Sequence, residues 1–147
     1  MTRSKRIQPV VRIAENREQD AARVLGESMK QLEAQEQRLQ ELTLYRDEYT
    51  RRFQNHAGGG MAPARMQDFR AFLAQLNQAI DQQRNVVERV RRESEQRRHQ
   101  WLDQRTRAKA LDKVVERYQR EELRDADRRE QKLLDEFAGR PRQDRSS

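Results

Sequence analysis

Cysteine is absent from this 147-residue sequence, which excludes disulfides and thiolate metal ligation. Aromatic residues make up only 5% and apolar residues 33%, against 39% charged, too little apolar material for a thick globular core. No stretch approaches the ~20 apolar residues that a membrane-spanning helix needs. The opening Met1-Thr2-Arg3-Ser4-Lys5-Arg6 is basic, but no apolar stretch of a secretory signal follows it. These absences lead us to expect a cytoplasmic chain with no direct membrane insertion. The two histidines, His56 and His99, have no neighbour at metal-ligand spacing. With no convergent titratable cluster, we expect no enzyme, no cofactor and no metal site.

What is present in quantity is Glu, Gln, Arg, Leu and Ala, strong helix formers that suit long helices burying a narrow stripe. The formal charge of +7 is spread out: residues 1–55 hold 11 Lys/Arg against 9 Asp/Glu, and residues 65–147 hold 21 against 16. A nucleic-acid reader more often concentrates its charge in one basic block. Nucleic acid is therefore not an expected partner.

One segment breaks the helical pattern: His56-Ala57-Gly58-Gly59-Gly60-Met61-Ala62-Pro63-Ala64. Three consecutive glycines do not hold a helix interior, at roughly 1 kcal/mol each relative to Ala. Arg51, Arg52 and His56 precede them, where cations favour a helix C-terminus, and Pro63 suits a first helical turn. No strand precedes these glycines and no Lys-Ser/Thr follows, so they are not a phosphate loop. Pro9 marks an expected first turn, and Gly139 with Pro141 marks an expected end. The reading is one hairpin over 1–147, with helix 1 at about 9–55, a loop at 56–64, helix 2 at about 65–137 and a disordered tail at 140–147.

Heptads support a coiled coil. In helix 1 one series runs Val11, Glu18, Leu25, Leu32, Leu39, Arg46, Phe53, and its partner Ile7, Ala14, Ala21, Ser28, Gln35, Leu42, Tyr49. In helix 2 the seam runs Met66, Phe69, Leu73, Leu76, Ile80, Gln83, Val87, Val90, Ser94, Arg97, Trp101, Gln104, Ala108, Leu111, Val115, Tyr118. This sustains a 3.5-residue period. The next register positions are Glu122, Asp125 and Arg129, where the apolar seam stops. Folding about the glycine loop puts the partner of Pro9 near Leu111, so helix 1 runs out about where helix 2 loses its apolar seam. The expected fold is therefore all-α, an antiparallel coiled-coil hairpin that is a monomer when free. Its longer second helix carries a C-terminal overhang over about 119–137.

Two apolar stripes widen the seam, one beside it on helix 1 and one overlapping it at Leu76 on helix 2. Leu42, Tyr45 and Tyr49 form one, Tyr45 standing outside while Arg46 takes the core register; Phe72, Leu76 and Ala79 form the other. The pairing puts both at one level, as a single candidate protein-binding patch.

The runs Gln19-Asp20-Ala21-Ala22-Arg23-Val24-Leu25-Gly26-Glu27 and Leu42-Thr43-Leu44-Tyr45-Arg46-Asp47-Glu48-Tyr49 resemble the FliJ family of flagellar type III export coiled coils. So do the glycine loop, Phe72-Leu73-Ala74-Gln75-Leu76 with Ala79-Ile80, and the ending Asp127–Ala138. The resemblance implies a stalk whose terminal end engages the hexameric export ATPase FliI and whose outer face contacts the export gate protein FlhA. It would couple ATPase activity to export from the cytoplasm, peripherally associated with the inner-membrane apparatus. An alternative within the same family is an escort that binds and recycles export chaperones. The implied gate interface is Leu42, Tyr45, Tyr49, Phe72, Leu76 and Ala79; the neighbouring positions Arg38 and Gln83 differ in character from the family. Arg120, Arg124 and Arg128 are the suggested ATPase-ring contacts.

Overall fold

The computed structural model describes residues 1–139, so the tail expected at 140–147 lies outside the described residues. The described chain is helical: α1 Arg3–Arg6, α2 Gln8–Ala57 and α3 Pro63–Gly139. Both long helices run close to the expected limits. The stop between them is made by glycine. The Gly59 N–H donates to the His56 carbonyl (3.1 Å) and the Gly60 N–H to that of Ala57 (3.4 Å), closing the last turn of α2. Gly60 then takes φ +82, a left-handed conformation in which a side chain would be strained. Pro63 opens α3, where its missing N–H costs nothing.

The start of the chain departs from expectation. Helix was expected from about residue 9, yet Arg3–Arg6 already form a turn that leads almost directly into α2. The Ile7 N–H reaches the Arg3 carbonyl (3.1 Å) and the Val11 N–H that of Ile7 (3.0 Å). Pro9 falls in the second turn of this combined run and has no N–H to continue the ladder, which accounts for the interruption at Ile7.

The chain packs as two compact units, Gln19–Leu102 and Met1–Glu18 with α3 from Asp103 onward. Within Gln19–Leu102, α2 and α3 pair antiparallel about the glycine loop. Arg46, nearer the loop, meets Asn77, while Gln35 and Glu36, further back on α2, meet Gln83 and Arg91, further along α3, as an antiparallel pair requires. Leu76, Ile80, Gln83, Val87, Val90 and Ser94 form the buried edge of α3, facing the half-buried Leu25, Leu32, Leu39 and Leu42 of α2. In the other unit, Val11 and Ala14 are buried and Ala108, Leu111, Val115 and Tyr118 are half-buried. Every seam position expected on helix 1 is at least half-buried.

Helix 2 follows its expected seam with one exception. Arg97 is exposed, and its guanidinium donates to Gln100 Oε1 at 3.2 Å. A guanidinium loses hydration in an apolar seam, and its long stem lets the charge turn out to water. Arg46, the other arginine in the register, is half-buried and reaches Asn77 Oδ1 across the pair at 3.4 Å.

Ile80 is 1% exposed and sits at the centre of this packing. Replacing it with Ala should cost about 2–5 kcal/mol in urea unfolding, whereas Leu44→Ala, at a residue 60% exposed, should stay within about 0.5 kcal/mol.

Candidate functional site

Five aromatic rings gather close to the loop, contributed by both helices of the Gln19–Leu102 unit. On α2, Tyr45, Tyr49 and Phe53 recur every four residues; on α3, Phe69 and Phe72 are three apart. Tyr49 stacks on Phe69 with centroids 4.1 Å apart and planes inclined 7°, and Phe53 stacks on the same ring at 3.9 Å. Phe72 meets Tyr49 at 4.7 Å and Tyr45 at 6.3 Å, both edge-on. The edge-on pairs have the geometry that ring quadrupoles favour. The inner rings are half-buried, while Tyr45 is 50% exposed at the outer edge of the cluster.

The six residues of the expected patch therefore divide. Tyr45, Tyr49 and Phe72 come together in one ring cluster, and Leu42 and Ala79 are half-buried at its flank. Leu76 is buried, 8% exposed, and belongs to the core because it occupies a seam slot directly. The heptad register marks Phe53 and Phe69 as seam residues alone. Their four-residue and three-residue spacing to Tyr49 and Phe72 was the available signal that the rings form one group.

In the terminal unit the structure joins α1 to α3. The Ser4 N–H donates to Glu122 Oε1 (2.9 Å) and its hydroxyl to Oε2 (2.8 Å). That hydroxyl proton being used, Thr2 is the donor in the 3.2 Å contact between the two hydroxyls. The Arg3 guanidinium lies 6.0 Å from the Tyr118 ring centre. The Ser4 N–H, then its hydroxyl, hold the Glu122 carboxyl below its ordinary range; Lys5 adds to this and desolvation opposes it.

Residues 119–122 were expected to belong to an unpartnered overhang, but the turn α1 lies against this stretch and gives Glu122 its partner. Beyond it, every residue from 123 to 139 is exposed. Arg120, Arg124 and Arg128 are all exposed on α3, and Arg128 approaches Asp125 at 3.9 Å, a surface pair worth little.

Among the described residues no group of three or more His, Cys, Asp and Glu is placed to hold a metal, and no helix is long and apolar enough to cross a membrane. The family model described as "Flagellar FliJ protein" matches residues 3–146. The chain belongs to the FliJ family. The flagellar FliJ protein of Salmonella typhi is 30% identical over 128 residues, 87% of each chain, and that of Escherichia coli (strain K12) is 29% identical over the same share. No solved structure matches the chain. Both the aromatic cluster and the Ser4–Glu122 clamp of this FliJ-family chain lie within the matched span.

The clamp has a definite pH signature. Because the folded-state pKa of Glu122 is lowered, its contribution is complete above the ordinary carboxylate range and is lost as pH falls through the lowered value. In an NMR titration the Ser4 amide proton should move upfield over that acidic step. Glu122→Gln should abolish the step while leaving helix content unchanged.

Proposed function

We propose that this FliJ-family chain is a non-catalytic, stalk-like component of the flagellar type III protein export apparatus. In this reading it engages the export ATPase hexamer through its terminal unit and the export gate protein through the aromatic face near the loop. It works from the cytoplasm, docked on the inner-membrane apparatus, and couples ATP hydrolysis to export. The observation that supports this best is Tyr45, an aromatic side chain 50% exposed beside a ring cluster. A large ring held at the surface by buried neighbours is what a protein interface uses as an anchor. The four-residue steps of Arg120, Arg124 and Arg128 offer guanidinium groups for acidic walls around the terminal unit.

Tyr45 separates binding from folding better than Tyr49, whose ring is stacked inside the cluster. Tyr45→Ala should weaken calorimetric binding to the soluble part of the gate protein by about tenfold or more, with little change in melting temperature. Wild-type affinity in that variant would remove the aromatic face from the interface. In a parallel titration the chain should accelerate ATP hydrolysis by the export ATPase and hydrolyse none alone. A folded chain that binds neither partner would leave the chaperone-escort reading to be tested by direct chaperone binding.

A further inference from the structure

The loop end of the Gln19–Leu102 unit carries a groove of about 480 Å³ whose basic side chains the aromatic face does not account for. Its apolar floor is the stacked pair Tyr49 and Phe69, with the half-buried Met61 of the loop alongside. Its polar lining is predominantly basic. Arg52 and His56 enter from the last turns of α2, one helical turn apart, and Arg65 enters from the first turn of α3. Asp68 is the only acidic residue lining the groove.

Three features leave that positive charge available. Arg52 is paired only with Glu48, at 3.4 Å, and both side chains are well exposed at 70% and 64%, so an incoming carboxylate exchanges for Glu48 at little cost. The first turn of α3 contains no acidic residue to offset the positive end of the helix. Gly60 lines the groove without a side chain, and a Cβ placed there would meet nothing within 4 Å.

We propose that this groove is a docking site for an acidic segment of a partner protein, one that carries an aromatic or aliphatic anchor. Carboxylates of the segment pair with Arg52 and Arg65, and the anchor lies on the Tyr49 and Phe69 rings beside Met61. Arginine favours such partners because its planar fork donates two parallel N–H bonds to a single carboxylate. A short groove with an aromatic floor suits one anchored segment, whereas a nucleic acid would need a cationic track to follow its backbone. The groove shares Tyr49 with the aromatic face, but Arg52 and Arg65 lie outside the residues assigned to gate binding, so the charge-reversed variant tests it separately from Tyr45→Ala.

The test uses the full chain and a fluorescein-labelled decapeptide of glutamates with one central Phe, followed by fluorescence anisotropy. Saturable binding is expected, weakening as salt rises, and the Met61 methyl signal should shift in NMR on addition of the unlabelled peptide. Replacing the glutamates with Gln, or the Phe with Gly, should each weaken binding about tenfold. The Arg52→Glu/Arg65→Glu variant should lose about tenfold or more while keeping its circular dichroism; Arg52→Lys/Arg65→Lys should retain more affinity than the charge reversal. An absence of saturable binding, an undisturbed Met61 signal, unchanged affinity in the charge-reversed variant, or tighter binding of an oligothymidylate would each overturn the proposal.

Discussion

The structure depends on a stripe of apolar side chains two residues wide that neither long helix can bury alone. A helix whose apolar positions recur every 3.5 residues keeps one seam facing a partner, and burying that seam is the main favourable contribution available to so polar a chain. Helix propensity favours the backbone conformation, but packing stabilises it. The glycine loop makes the partner intramolecular, since three residues with no side chains let α2 end and α3 begin within a few residues. From Ile80 outward, other features of the Gln19–Leu102 unit are departures from that packing, and each departure has a chemical consequence.

Polar residues interrupt the seam at particular levels. The Gln83 amide donates both to the Gln35 carbonyl (3.0 Å) and to its side-chain oxygen (2.7 Å), so a polar pair in the core is satisfied only in one register. A one-heptad slip would leave both amides buried against aliphatic side chains, at a cost of about 1–3 kcal/mol per unsatisfied group. Arg46 has a comparable effect nearer the loop, where its charge holds a core slot and Tyr45 stands outside it. In the terminal unit, Glu122 occupies the register position after Tyr118 and is turned to use by Ser4. In each case the seam gives up apolar burial and gains a directional contact.

These departures are where recognition becomes possible. A fully regular coiled coil presents solvated charge on all outer faces and offers partners little to distinguish. Here five rings from two helices fill the loop end of the Gln19–Leu102 unit more widely than a two-residue seam requires, leaving the Tyr45 ring half in solvent. Two of those rings, Tyr49 and Phe69, also floor a groove lined by Arg52 and Arg65. Membership of the FliJ family places these surfaces on a flagellar protein.

Much of this was legible in the sequence, because periodicity and glycine act locally. A 3.5-residue repeat specifies which face is buried whatever the partner, so Val11, Leu32, Leu39, Ile80 and Val87 could be assigned to the core without coordinates. The triple glycine and Pro63 located the turn because backbone conformation depends on the residue itself. Contacts across the pair were decided otherwise. Whether Arg97 stayed in the seam depended on an outlet to water. The Ser4–Glu122 clamp joins residues 118 positions apart. No local signal marks Ser4 as a donor to a distant carboxylate, since its hydroxyl and amide find that partner only once the helices have aligned.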